Sequence, residues 1–353
     1  MDEEASSKGK GETGGIAAER PVRARTMAEL ARLAGVTAGT VSRALAGSPL
    51  ISAKTRDHIQ ALAREHDFRL NEMARRLRTQ RTGVIGIVVP LGHERRQHIS
   101  DPFFMPISGH PADLLTETGH ELMLSRVIPE APDWLDRIVD SGMLDGVLMI
   151  GQSDQFDTIE RIAGRYRPLV VWGVHREGQV HCSVGTDNRA GGFLAADHLI
   201  RRGARRLAFL GDIAAPEVAA RFEGCVAAAA DAGLAEVKLL KTHLAQEDME
   251  RDIAAHFGEM PGRIDGIVAA SDMIAMTALR GLADHGVVVP DMMRVVGYDD
   301  LPLAAQTVPR LSTIRQDIAA GAAAMVDALA RRLAGESSPS VILDPALVER
   351  DTS

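Results

Sequence analysis

Only two cysteines, Cys182 and Cys225, occur in the 353 residues, and their spacing suits neither metal ligation nor a disulfide framework. A reducing compartment, the cytoplasm, is the expectation. No apolar run approaches the length of a membrane span. Residues 1–24 are rich in Gly, Ser, Glu and Lys, lack the apolar stretch of a secretion signal, and read as a disordered arm. The glycines around Lys10 follow no strand and lack a Gly-Lys-Ser/Thr ending, which excludes a phosphate loop. Gly-x-Ser-x-Gly is absent and the histidines are scattered, so no nucleophile and base stand together and no enzyme is expected. His93 and His98, in the loop Gly92–Ser100, pair without a third ligand and read as solvated residues, so neither a metal nor a cofactor is predicted.

What is present begins with charge. The formal net charge is −8, yet residues 20–82 hold thirteen Lys and Arg against five Asp and Glu, a local +8 that leaves −16 elsewhere. Such asymmetry marks the N-terminal region as a footprint for nucleic acid. Within it, Thr26-Met27-Ala28-Glu29 has the form of a capping box before an apolar run, and Gly35-Val36-Thr37 supplies a turn and a second cap. Two short helices joined by a Gly-containing turn make a helix-turn-helix, with a third helix capped by Ser52 behind it. The second helix would enter the major groove with Ala38, Gly39 and Thr40 nearest the bases and Arg43 one turn along. Arg43 can fork onto guanine O6 and N7, whereas Thr37, Thr40 and Ser42 carry hydroxyls suited to phosphates. Asn71 to Leu77, with Arg75 and Arg76 inside it, is a capped turn too short to be stable alone. It is expected to fold on DNA, with Leu77 wedged into a minor-groove step.

From Gly83 onward short apolar runs alternate with amphipathic stretches, which predicts parallel sheets covered on both faces. Eight strands are expected, from Val84–Val89 to Arg294–Gly297, with eight helices between and after them, too many for one compact sheet.

The run from Thr26 through Arg43 to Leu77 resembles the LacI/GalR family of sugar-responsive repressors, and the likeness extends almost to the end of the chain. It implies an α/β body of two periplasmic-binding-protein-like lobes, with the chain crossing between them near Gly185 and near Leu311. The division that follows is an arm at 1–24, a helix-turn-helix domain at 25–70, a hinge helix and linker at 71–82, and an effector-binding and dimerisation body at 83–353. The partners implied are double-stranded operator DNA, a second copy of the chain and a small effector, a sugar or related metabolite. At the matching positions the resemblance carries over Arg221, Asp299, Asp187, Ser271 and Asp272 as effector contacts. Asp187 and Asp272 also suit helix caps, and Tyr298 suits packing. Phe103 and Phe104 are the only adjacent aromatics in a chain that is 3% aromatic, and with Trp172 they are the candidate stacking platforms.

Overall fold

The computed structural model describes residue 24 and residues 26–68, 81–258, 260 and 262–353. The predicted arm, up to residue 23, and the hinge residues Asn71, Arg75, Arg76 and Leu77 lie outside the described residues. The chain divides into two compact units, one ending at Gln80 and the other beginning at Arg81.

The first unit holds α1 (Met27–Leu33), α2 (Ala38–Leu45) and α3 (Ala53–Glu65). Each starts where a hydroxyl satisfies an orphan backbone N–H: Thr26 accepts from Glu29 N, Thr37 from Thr40 N and Ser52 from Thr55 N, each at 3.2 Å. Such caps stabilise a helix by about 1 kcal/mol. Gly35 takes φ +65° in the turn between α1 and α2, a conformation that favours glycine. Leu30, Ala31, Val41, Ala44, Ile59 and Ala63 form the buried core of the head.

The second unit is built on two six-stranded sheets. The first contains β1 (Val84–Pro90), β2 (Glu121–Val127), β3 (Gly146–Ile150), β4 (Leu169–Trp172), β5 (Cys182–Thr186) and β11 (Val341–Leu343), in the order β2-β1-β3-β4-β5-β11 and wholly parallel. The second contains β6 (Leu207–Leu210), β7 (Lys238–Leu240), β8 (Gly266–Ala269), β9 (Arg294–Asp299), β10 (Ser312–Arg315) and β12 (Ala346–Val348), in the order β7-β6-β8-β9-β10-β12. Here β12 alone runs antiparallel. Strands β3, β4, β6 and β8 are buried along their whole length, as continuous apolar runs in a doubly covered parallel sheet should be.

On the first sheet, α4 (Phe104–Glu117) and α11 (Ile318–Leu333) share one core, and α5 (Trp134–Val139) and α6 (Phe156–Ala163) cover the other. The second sheet carries α7 (Asn188–Arg201), α8 (Pro216–Asp231), α9 (Gln246–His256) and α10 (Asp272–Asp284) around one core centred on Phe209, Ile267 and Val295. The eight body helices fall within a few residues of the predicted spans, whereas twelve strands replace the eight expected. The additions, β5, β10, β11 and β12, are only three to five residues long, too short to show an alternating pattern of their own. Partner strands supply most of their pairing energy, so periodicity does not mark them.

The chain passes between lobes three times: from β5 into α7, from β10 into α11 across Gln316 and Asp317, and from β11 into β12 across residues 344–345. The first crossing matches the expectation near Gly185. The second lies beyond Leu311, because the unforeseen β10 still belongs to the second sheet, and the third was not foreseen.

Helices α7 and α8 approach closely through glycine. A Cβ at Gly192 would run into the Arg221 backbone carbonyl, and one at Gly224 into the Arg189 carbonyl. Backbone cannot yield as a flexible side chain does, so the Arg221-x-x-Gly224 spacing is a packing requirement as well as a motif. Gly224→Val should destabilise the second lobe by about 3 kcal/mol, at the upper end of overpacking costs. Urea unfolding of the two proteins, compared at equal m, measures this directly.

Candidate functional site

On α2 the face opposite the core is the one the sequence assigned to DNA. Val41 and Ala44 turn inward, while Thr37, Ala38, Gly39 and Arg43 are exposed and Thr40 and Ser42 half-buried. Thr37 is already engaged as the helix cap, and its hydroxyl lies 3.0 Å from that of Thr40. Arg43 Nε donates to the Gly39 carbonyl at 3.2 Å, which lays the guanidinium along the exposed face of the helix. Ala38 and Gly39 offer no side-chain hydrogen bonds, so Arg43 is the one long polar side chain on this face of α2.

Between the two lobes lies a cavity of about 110 Å³, walled by residues from both. The first lobe contributes the region beyond the carboxyl ends of β1, β3 and β4, including Phe103, Phe104, Ser153 and Trp172, and the second the corresponding region beyond β6, β8 and β9, including Arg221, Ser271 and Asp299. This is where open α/β sheets place ligands.

The aromatic wall is built locally. Phe103 and Phe104 pack edge to face with centroids 5.8 Å apart. They are positioned by Asp101, whose carboxylate accepts from Phe103 N at 2.9 Å and from Gln97 Nε2 at 3.1 Å. Trp172 closes β4 and is buried against α11, where Gly321 leaves room for its ring.

Opposite stands Arg221, 7% exposed. Its Nε donates to Asn188 Oδ1 at 2.8 Å, its Nη1 to the Ala270 carbonyl at 2.5 Å, and its guanidinium carbon lies 3.7 Å from the centroid of the Tyr298 ring. Tyr298, wholly buried, is therefore a packing platform for the arginine, as the sequence suggested. Asp299 sits at φ +120° and accepts from Gln316 Nε2 at 2.7 Å, so a cavity carboxylate is bonded to the second interlobe crossing.

Burial pushes the Asp299 carboxyl up to about 7, against the opposing pull of the Arg221 charge. Asp272 is raised well above the ordinary carboxylate range by burial and by the neighbouring Asp299 charge. An acid whose folded value is raised holds its proton more tightly in the native state. Its contribution to stability is present in full below pH 3.8 and is lost as pH rises to about 7. The melting temperature of the wild type relative to Asp299→Asn should therefore fall between pH 4 and 7 and level off above 7.5. A difference flat across that range would place the Asp299 titration elsewhere.

Two of the eight predicted effector residues are not on the cavity wall. Asp187 is exposed and caps α7 by accepting from Ala190 N at 2.9 Å. Asp272 is fully buried, with its oxygens accepting from Leu301 N at 2.7 Å and Thr313 Oγ1 at 2.5 Å. It orders the backbone just after Asp299 from beneath. Phe103, Phe104, Trp172, Arg221, Ser271 and Asp299 all line the cavity.

The structure adds residues that the sequence reading missed. Glu217 lies four residues before Arg221 on α8, so the i, i+4 spacing alone could have placed both on one face. His93 is a wall residue rather than a solvated loop residue, with Nδ1 2.7 Å from Ser153 Oγ.

The same loop straps the cleft on the side away from the crossings, where β1 and β7 lie near the far edges of their sheets. Buried Glu94 accepts from Leu244 N at 3.2 Å, and Arg96 pairs with Glu247 at 2.5 Å and Asp248 at 3.1 Å. The Arg96–Glu247 pair is largely exposed and contributes roughly 0.2–1 kcal/mol, whereas Asp248 is buried and shared with Arg251. Glu94, Asp212 and His243 bring ligand-type atoms within 4.8 Å of one another. Lys241, 3.2 Å from Asp212, and Asp252, 2.6 Å from His243 Nδ1, already engage two of the three.

Among the described residues no helix is long and apolar enough to cross a membrane. Residues 26–71 match bacterial regulatory proteins of the lacI family, and residues 196–353 match a periplasmic binding protein-like domain. The chain is 30% identical over 345 residues to the HTH-type transcriptional regulator CelR of Thermobifida fusca, covering 93% of this chain and 98% of that protein. Its fold is similar to that of the lac repressor dimer bound to operator and the anti-inducer ONPF, with TM-score 0.81 at 22% identity, covering 93% and 98% of the two chains. A complex of the transcriptional regulator CelR with cellobiose is 26% identical with TM-score 0.65, covering 93% and 99%.

Proposed function

The chain belongs to the lacI family of bacterial regulatory proteins, and from that premise we propose that this DNA-binding transcription regulator is a cytoplasmic, homodimeric repressor of a partly palindromic operator, switched by a small carbohydrate. The observation that carries the proposal is the presence, in one chain, of the exposed Arg43 face of α2 and of a cavity walled by residues of both lobes, including Phe103, Trp172, Arg221 and Asp299. The relatives support each half: the lac repressor is seen as a dimer on its operator, and CelR is seen with cellobiose.

One short recognition helix binds weakly, and a dimer overcomes this because the first head raises the effective concentration of the second. A ligand touching both lobes favours the closed body only by as much as it binds that state better than the open one. In this proposal the closed and open bodies differ in how the two heads, joined through residues 71–82, can engage both half-sites, and that difference is the switch. Phe103 and Trp172 suit the apolar face of a sugar ring, and Arg221 with Asp299 suits its vicinal hydroxyls, which both donate and accept.

The test is a fluorescence anisotropy titration of the purified protein on the duplex upstream of its own gene, at two salt concentrations, with and without pooled neutral sugars. Tight binding of a dimer that weakens with salt and shifts with one pool is the expected result. Binding indifferent to sequence and unmoved by every pool would overturn it.

A further inference from the structure

Buried acids are ordinarily paired with a cation or bound to a metal. Glu94 has neither partner within the protein. It is 3% exposed, yet among the described residues no lysine, arginine or histidine nitrogen lies within 4.0 Å of its carboxylate. Oε1 accepts from Leu244 N at 3.2 Å, and among the described residues Oε2 has no donor.

Glu94 stands in the first-lobe loop after β1. Facing it are two residues of the second lobe, Asp212 just past β6 and His243 just past β7. One ligand-type atom of each residue lies within 4.8 Å of the other two, but no nitrogen of the His243 ring comes within 4.0 Å of the Glu94 or Asp212 carboxylate. The imidazole therefore faces both acids across a gap rather than bonding to either. An ion centred among atoms that far apart lies at most about 2.8 Å from each, and small side-chain rotations bring that to the roughly 2.0–2.2 Å of zinc coordination.

The imidazole is already oriented for such an ion. Asp252 Oδ2 accepts from His243 N at 3.1 Å and lies 2.6 Å from Nδ1. A carboxylate only accepts, so the proton of the neutral ring sits on Nδ1 and Nε2 keeps its lone pair. A carboxylate on the far nitrogen is the arrangement that holds metal-ligating histidines. Charge points the same way. Glu94, Asp212 and Asp252 place three carboxylates around one ring, answered by Lys241, 3.2 Å from Asp212, and Arg251, 3.7 Å from Asp252. Both of these side chains are largely exposed, free to swing into water, and neither pairs with Glu94.

We propose that Glu94, Asp212 and His243 bind a divalent transition-metal ion of the zinc class, and that this ion ties the two lobes together. Imidazole beside two carboxylates suits such an ion better than magnesium or calcium, which take oxygen ligands. One ligand comes from the first lobe and two from the second, so the full set exists only where the lobes meet. The ion then favours the closed body by as much as it prefers that state, on the side of the cleft that no chain crossing holds.

Isothermal titration of zinc chloride into the full chain, free of any histidine tag and stripped of metal by chelator, is the test, with magnesium chloride beside it. One zinc ion per chain should bind, and magnesium should not compete. Asp252→Asn, which only loosens the ring, should weaken zinc by about 10- to 100-fold, and Glu94→Gln and His243→Ala should each weaken it further than that. Zinc should raise the melting temperature of the wild type and leave those of Glu94→Gln and His243→Ala where they are. Cooperative melting of the metal-free variants shows that they fold. No zinc binding by the wild type overturns the proposal, as does equal affinity in the wild type and both variants, which means adventitious ions on exposed histidines only. A site lost in His243→Ala but kept in Glu94→Gln lies within the second lobe alone, and the tie between the lobes is refuted.

Discussion

Arg221→Ala should abolish the effector response and leave operator binding without effector nearly unchanged. The side chain is 7% exposed and meets three protein groups, Asn188 Oδ1, the Ala270 carbonyl and the Tyr298 ring. Its removal leaves two acceptors unmatched and takes the opposing charge from Asp299. Hydrogen bonds to a charged donor contribute about 1.5–3 kcal/mol each. Effector affinity should fall by at least about 100-fold, and the body should melt at a lower temperature. The head lies in a separate compact unit with its own core, so its DNA contacts should survive. The check is an operator titration with and without sugar, run well below the variant's melting temperature. A response as large as that of the wild type would show that the effector sits elsewhere.

The second large effect is on DNA. In the proposed reading, which puts Ala38 and Gly39 at the groove end of α2, base discrimination rests on Arg43, held along the helix by the Gly39 carbonyl. A bidentate arginine–guanine contact contributes about 1–3 kcal/mol of discrimination. In a dimer the loss occurs twice, so Arg43→Ala should weaken specific binding by about 2–6 kcal/mol, or 30-fold to more than 10⁴-fold. Binding to unrelated duplex, governed by phosphate contacts, should drop far less, so the specific-to-nonspecific ratio collapses. If specific and nonspecific affinities instead fall together, Arg43 contacts phosphate, and selectivity has to come from the shape of the DNA.

The head was legible in the sequence almost residue by residue. Its signals are local: Thr26, Thr37 and Ser52 each cap a helix through the backbone N–H three residues later, and Gly35 takes the turn conformation that favours glycine. The body helices were equally plain, because amphipathic spacing is a property of a short window. Strands β5, β10, β11 and β12 were not, since residues such as Ser312, Thr313 and Ser183 become buried only through the strands and loops beside them.

The cavity divides along the same line. Sequence alone determined the chemistry on offer: an adjacent Phe103–Phe104 pair, an arginine four residues after a glutamate on one helix, and carboxylates at the ends of strands. Tertiary structure decided which of these face one another. Asp187 and Asp299 look alike in sequence, both carried over by the family resemblance as effector contacts, yet one is an exposed helix cap and the other is buried beside Arg221 and bonded to Gln316. Asp272 turns beneath the wall to hold Leu301 and Thr313, whereas His93, which reads as an ordinary loop histidine, is fixed by Ser153 at the cavity wall. The reason is physical: a cap needs only its own next turn, while a ligand site needs side chains from β1, β3, β4, β6, β8 and β9 to converge. That convergence follows from strand order and from three crossings between lobes, which act over distances that no local pattern in the chain records.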